Sequence, residues 1–182
     1  QSKKIKNIIS TITGCGLMIK DYHEQFEKNS PMYEKAKKIS QSSIDIFEFI
    51  LNNEELILDY LKKINFKPSS NKIVYHPPCT MQHGLKINNQ VEKFLLKIGY
   101  KLNDFDEKHL CCGSAGTYSI FQRKIANTLR TRKIKNLTHE KPDIICTSNI
   151  GCILHLEKVS DTKVIHWIEM FANDILKYAG RE

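Results

Sequence analysis

The hydrophobic positions along the chain predict an alternation of short strands and longer helices. An apolar run at 5–12 predicts a buried strand, and a stretch at 31–64 carries apolar residues at helical spacing. After a linker containing Pro and Ser at 66–71, the pattern predicts strands at 72–76, 143–147 and 163–165, and helices at 88–98, 117–137, from 150, and 167–178. This order is typical of a parallel sheet with flanking helices, so the sequence predicts an α/β fold with a Rossmann-like core.

Two segments of the chain resemble each other: NIISTITGCGLMI at 7–19 and DIICTSNIGCILHL at 143–156. In both, an apolar strand delivers a Gly-Cys pair to the start of a helix, which is where open α/β sheets place their ligands. The chain also begins with Gln1, so we expect a piece of a longer protein. The repeat predicts three parts, which are the end of a truncated first cysteine-rich repeat at 1–20, connecting helices and a linker at 21–70, and a complete second cysteine-rich domain at 71–182.

The formal net charge of +8 comes from lysines and arginines spread along helix-like segments such as 33–40 and 130–137. They are mixed with acidic residues and lack interleaved stacking aromatics, which is typical of solvated helix faces and argues against a nucleic acid partner. No segment approaches the roughly 20 apolar residues of a membrane-spanning helix, and the start lacks the layout of a secretory signal. We therefore expect a cytoplasmic location, with at most peripheral association at the inner face of the cytoplasmic membrane.

Six cysteines in a cytoplasmic chain are more plausible as reduced thiols or metal ligands than as disulfides. Four of them follow predicted strands and should meet at one edge of the sheet: Cys79, Cys111, Cys112 and Cys152. Thiolates favour iron-sulfur clusters, zinc or copper(I), and four of them are the usual complement of a 4Fe–4S cluster. The vicinal pair suits a cluster with several irons better than a single ion. The alternatives are small buried core residues and, for the vicinal pair, a disulfide.

Several residues around these cysteines are candidates for supporting roles. His76 and His83 bracket Cys79, and could donate hydrogen bonds to cluster sulfur or serve as ligands in a mixed site. Gly113 can adopt a positive φ that folds the backbone tightly around a cofactor. His155 follows Cys152 on the same predicted helix and is a candidate for contact with the ligands rather than with the metal.

The two remaining cysteines are interpreted differently. Cys146 lies inside a predicted strand, and its counterpart in the first copy of the repeat is Ser10, which indicates a core residue. Cys15 has the setting of a ligand at the end of a strand. We expect its partners to lie upstream of Gln1.

The strings HPPCTMQHG, CCGSAGTYSIFQ, TSNIGCILHL and VIHWIEMFA closely resemble the C-terminal half of glycolate oxidase iron-sulfur subunits. More broadly, they resemble the cysteine-rich CCG domain of heterodisulfide reductase subunits and lactate-utilisation iron-sulfur proteins. That family's motif is a lone Cys, a CC pair and a closing C-x-x-C. Here the closing pair begins with Asn149, which removes a fifth thiolate and leaves a four-thiolate cluster or a structural domain. The metal ligands that the resemblance implies are Cys79, Cys111, Cys112 and Cys152.

The resemblance also implies parts that these residues do not contain. They are an N-terminal ferredoxin-like portion with two 4Fe–4S clusters, partner subunits that carry FAD and oxidise glycolate to glyoxylate, and onward transfer toward the quinone pool. The chain itself has no flavin or nicotinamide signature, so we do not expect it to be catalytic alone. The leading hypothesis is an electron relay. The alternatives are an enzyme of the heterodisulfide reductase or lactate-utilisation type, and a zinc-bound or metal-free assembly module.

Overall fold

The computed structural model describes residues 6–178, and it begins with a small α/β unit. Two strands, β1 (Ile8–Ser10) and β2 (Ser43–Asp45), pair in parallel, with Ile8 opposite Ser43. Two helices connect them, α1 (Thr13–Lys20) and α2 (Pro31–Ser42), and a short 3-10 helix lies between these helices at Tyr22–Gln25.

The stretch at 31–64, predicted as one helical region, is interrupted by β2. Helix α3 (Ile46–Asn52) starts afresh after it, and α4 (Glu54–Lys63) follows. The restart has a local cause, because Asp45 and Glu48 form a capping box. The Asp45 carboxylate accepts from the backbone N–H of Phe47 at 2.8 Å, and the Asp45 N–H donates to Glu48 at 2.8 Å. Since the apolar spacing continues across this boundary, hydrophobic period alone could not predict the strand.

The capping carboxyl of Asp45 predicts a pH dependence of stability. Burial raises its pKa from 3.8 to about 6, and Oδ2 has no hydrogen-bond partner among the described residues. Because the folded-state pKa lies above the unfolded-state value, the contribution to stability is complete below about pH 4 and is lost as the pH rises through 6. The free energy of unfolding of Asp45→Asn, measured relative to that of wild type, should therefore be about 2–3 kcal/mol higher at pH 8 than at pH 4. Urea unfolding at both pH values measures this. An equal stability difference at both would contradict it.

The main sheet has four strands, all parallel, in the order β4-β3-β5-β6. In register, Ile73 lies between Leu102 and Ile144, and Ile144 lies opposite Lys163. The predicted α/β fold with a parallel sheet and flanking helices is thus confirmed. The strand before Cys15 pairs with β2 and does not join this sheet. The four strands are β3 (Ile73–His76), β4 (Leu102–Asn103), β5 (Ile144–Thr147) and β6 (Lys163–His166).

Helices cover both faces of the main sheet. The helix predicted at 117–137 is divided in two, because Gln122 leaves the helical region with φ −111° and ψ 47°. Between residues 6 and 178, no helix is long and apolar enough to cross a membrane. The helices of this part are α5 (Gln90–Lys97), α6 (Tyr118–Phe121), α7 (Arg123–Leu137), α8 (Ile150–Glu157) and α9 (Trp167–Leu176).

Alternate strand residues point to opposite faces, so the sheet separates two hydrophobic clusters. The larger cluster holds Tyr75 and Ile165 from the strands, and it includes Phe47 of α3, so the small unit shares this core. Cys146 is buried in the same cluster, which confirms its interpretation as a core residue. The smaller cluster lies on the other face and leads to the cysteines. It is formed by Val74, Cys112, Leu137, Ile145, Cys152, Leu156 and Val164.

Candidate metal centre

Three segments at the carboxyl edge of the main sheet carry the four candidate cysteines. Cys79 follows β3, the pair Cys111 and Cys112 lies in the loop after β4, and Cys152 lies in the first turn of α8 after β5. Parallel strands end at the same edge of a sheet, so segments far apart in sequence meet there. All four cysteines line one cavity of about 520 Å³. The structure therefore brings them together as the sequence predicts.

The thiols of this group are close enough to interact directly. The sulfur atoms of Cys112 and Cys152 are 3.1 Å apart, and the Cys111 sulfur accepts from the backbone N–H of Gly113 at 3.3 Å. Each of the six cysteines, all of them within the described residues, is a free thiol, so the vicinal disulfide is not formed.

His76 completes the group from the end of β3. Its side chain is 1% exposed, and its ring lies within 4.8 Å of the sulfur atoms of Cys112 and Cys152. Among residues 6–178, neither ring nitrogen has a hydrogen-bond partner. A buried polar group without a partner costs roughly 1–3 kcal/mol, so the site has a place for a metal ion or for an acceptor such as cluster sulfide. Soft thiolates and an unpaired imidazole fit an iron-sulfur or zinc centre.

The four thiols share their protons unequally. Hydrogen bonds from the thiols of Cys112 and Cys79 hold the pKa of Cys111 far below its usual range. The same bonds raise the pKa of both donors, and burial adds to the effect. A hydrogen bond from Cys112 also lowers the pKa of Cys152 to about 6, and the neighbouring His76 contributes. The group therefore carries thiolate charge at neutral pH, which is the form that binds metal.

Asn149 stands at the first position of the closing C-x-x-C of the family motif. It lines the cavity, but both polar atoms of its side chain make hydrogen bonds elsewhere. Its Oδ1 caps α8 by accepting from the backbone N–H of Gly151 at 2.9 Å. Its Nδ2 donates to the hydroxyl of Thr80 at 3.2 Å. Asn149 thus positions the helix that carries Cys152, and its oxygen is already occupied.

The other residues singled out from the sequence have different surroundings. Gly113 has φ +90°, as predicted, and an added Cβ would lie 2.4 Å from the backbone oxygen of Ala126. His155 is buried and its Nε2 lies 3.4 Å from that same oxygen, so it joins α8 to α7 and does not line the cavity. His83 is exposed in the π-helical turn Thr80–Gly84 and is not brought to the cavity.

The burial of Lys133 contradicts the interpretation of segment 130–137 as a solvated helix face. Its side chain is fully buried, its Nζ donates to the backbone oxygen of Glu107 at 2.6 Å, and it lies 5.1 Å from the ring centre of Phe105. Burial lowers its pKa to about 8, while the negative charge of Cys112 and Glu107 opposes that shift. Nothing in the sequence distinguishes this lysine from its exposed neighbours. It places a positive charge near the thiolates.

Cys15 lies at a place that the sequence did not predict. Its partners are expected upstream of Gln1, and within the described residues it lines the same cavity as Cys79, Cys111 and Cys152. The repeat contained the signal for this, since Gly14-Cys15 occupies the same positions in α1 as Gly151-Cys152 does in α8.

Comparisons with known proteins agree with this geometry. Residues 73–157 match the cysteine-rich domain family CCG. The chain is 39% identical over 90% of its length to the glycolate oxidase iron-sulfur subunit of Escherichia coli (strain K12), and it spans 38% of that relative. It is 25% identical over 93% of its length to lactate utilization protein A 2 of Bacillus cereus (strain Q1), of which it spans 71%. With the motif cysteines gathered on one cavity, residues 73–157 match the CCG cysteine-rich domain family, in a chain similar to glycolate oxidase iron-sulfur subunits.

Proposed function

We propose that this chain is an electron-transfer part of an iron-sulfur oxidoreductase subunit, and that Cys79, Cys111, Cys112 and Cys152 hold a 4Fe–4S cluster. The observation that carries the proposal is the placement of four thiols on one cavity, beside a buried imidazole without a partner. A cluster bound there would accept and release single electrons. The chain supplies the thiolates, excludes water from the buried pair Cys112 and Cys152, and places Lys133 near the negative charge.

The names of the relatives suggest which reaction would supply electrons to the relay. One is named as a glycolate oxidase iron-sulfur subunit and the other as a lactate utilization protein. We propose that electrons arrive from FAD on a partner subunit that oxidises glycolate to glyoxylate, and leave toward the quinone pool. A ferredoxin-like portion with further clusters would lie in the rest of the longer protein. We propose that the protein acts in the cytoplasm, with at most peripheral association at the inner face of the cytoplasmic membrane.

A structural zinc site is the second candidate. His76, Cys112 and Cys152 each offer one possible ligand atom, and these three atoms all lie within 4.8 Å of one another. A Cys-Cys-His set with one further thiolate is a usual zinc environment. Zinc has no redox chemistry, so the two candidates predict different behaviour toward a reductant.

The experiment is an anaerobic redox cycle on the protein reconstituted with iron and sulfide. The relay predicts visible absorption that bleaches with dithionite and returns when a soluble quinone is added. Alongside it, protein purified without reconstitution is analysed for zinc. One equivalent of tightly bound zinc, with no bleachable absorption after reconstitution, would support the structural site and contradict the relay.

The buried charge of Lys133 predicts an effect on the reduction potential of such a cluster. Lys133→Met should shift the midpoint potential to more negative values, by several tens of millivolts, because a nearby cation stabilises the reduced state. Lys135→Met is the matched control, since Lys135 lies on the same helix and is exposed. Redox titration monitored by electron paramagnetic resonance measures both. Equal shifts in the two variants would contradict a specific role for Lys133.

A further inference from the structure

The cavity that holds the four thiols is formed by two parts of the chain. They are the first copy of the repeat, at 7–19, and the second cysteine-rich domain, at 71–182, which contains the second copy. One part of its wall comes from the β3, β4 and β5 ends, as described above. Another part comes from the start of α1, which contributes Ile12, Gly14 and Cys15. Cys15 is exposed, so it lies on the solvent side of this wall, whereas Cys112 and Cys152 lie at the buried side.

Hydrogen bonds fix the start of α1 against the second copy. The backbone N–H of Thr13 donates to the backbone oxygen of Ser148 at 3.1 Å. The Thr13 hydroxyl lies 2.8 Å from the hydroxyl of Thr80, the residue after Cys79. Thr13 is fully buried at this junction. The position of Cys15, two residues further on, is therefore set by contacts to the neighbours of the candidate ligands.

Asn149 belongs to the same junction. Its Nδ2 donates to Thr80 and lies 3.0 Å from the place that a Cβ on Gly14 would occupy. A side chain at position 14 would meet this amide, so the glycine allows the two helix starts to approach. The start of α1 therefore packs against the amide that caps α8, and Cys15 lines the same cavity as Cys79, Cys111, Cys112 and Cys152.

We propose that Cys15 is a fifth thiolate donor to the centre in this cavity, so that one centre is bound by both copies of the repeat. The inference rests on the proposed function, because it requires a metal centre at the four thiols. Cys15 makes up for the thiolate that Asn149 does not supply, but from another helix and from the solvent side. Thiolates are soft donors, and a fifth one suits a cluster of several irons rather than a tetrahedral ion.

Alkylation of the thiols, read by mass spectrometry, gives the first test. In the metal-free protein, exposed Cys15 should react readily with iodoacetamide, whereas buried Cys146 should not. After anaerobic reconstitution with iron and sulfide, Cys15 should react at least about tenfold more slowly, because a coordinated thiolate is no longer a free nucleophile. If iron binds and Cys111 is protected but Cys15 still reacts at its original rate, the fifth ligand is excluded and the proposed function stands. If no iron binds and no cysteine is protected, the proposed function fails and the inference fails with it.

A second measurement distinguishes coordination by the Cys15 thiolate from simple shielding of Cys15 by a cluster bound nearby. Cys15→Ser should change the electron paramagnetic resonance line shape of the reduced protein and accelerate loss of iron to a chelator several-fold. Met18→Ser is the matched control, because Met18 is exposed on the same helix and does not line the cavity. A Cys15→Ser spectrum and iron-loss rate equal to those of wild type would overturn the proposal, even if Cys15 is protected from alkylation.

Discussion

Replacing Gly113 with alanine is expected to lower the free energy of unfolding by about 3–4 kcal/mol. Gly113 has φ +90°, a backbone conformation that disfavours a side chain, and it directly follows the vicinal cysteines. A Cβ there would lie 2.4 Å from the backbone oxygen of Ala126, so α7 or the cysteine loop must move. The same movement would displace Cys111 and Cys112. Urea unfolding of the metal-free protein measures the effect without depending on cluster assembly.

Gly116→Ala is the control for this prediction. Gly116 also has a positive φ, of +56°, but a Cβ there meets nothing within 4 Å. Only the cost of the left-handed conformation remains, which is about 1–2 kcal/mol. If both variants lost the same stability, the close contact between Gly113 and α7 would not be a feature of the folded protein.

Phe47→Ala is expected to destabilise the chain by about 3–5 kcal/mol, because a large buried aromatic side chain is removed. Phe47 is 1% exposed, and its ring packs edge-on against Trp167 and Phe94 at centroid distances of 6.0 and 6.3 Å. These partners belong to helices on the main sheet, so the loss should lower the stability of the main sheet as well as that of the small unit. A single unfolding transition at lower urea concentration is the expected result.

Phe121→Ala is the matched substitution at a site that is 79% exposed, and it should change stability by less than about 0.5 kcal/mol. If Phe47→Ala instead produced two separate transitions, with that of the main sheet unchanged, the shared core would be contradicted. The small unit would then be an independent attachment to the cysteine-rich domain.

Much of the fold follows from local signals in the sequence. The strands before Cys79 and Cys152 are short apolar runs with clear boundaries, and the structure places them within one or two residues of the prediction. Strand β2 was missed because its three residues lie inside an apolar pattern of helical period. Strand β4 has only two residues, and its pairing with β3 depends on tertiary contacts rather than on its own sequence.

The site was predictable to the extent that it depends on topology. Cysteines after parallel strands meet at one edge of the sheet, so their convergence follows from the strand order. The repeat indicates that Cys15 and Cys152 occupy equivalent helix positions, but that Cys15 lines the same cavity depends on how α1 packs against the second cysteine-rich part, which the sequence pattern does not give. The burial of Lys133 has the same kind of cause, because it depends on the loop that brings Phe105 and Glu107 over α7.

We propose that the cavity at the carboxyl edge of the main sheet binds an iron-sulfur cluster. The most direct test compares wild type with the double variant Cys111→Ser, Cys112→Ser after anaerobic reconstitution with ⁵⁷Fe and sulfide, using iron quantification and Mössbauer spectroscopy. Cys146→Ala is the control, because that cysteine is buried in the larger hydrophobic cluster away from the cavity. We expect that only the double variant loses about four iron atoms per chain, together with a sulfur-coordinated signal that responds to dithionite. Equal iron content and identical spectra in wild type and the double variant would contradict it.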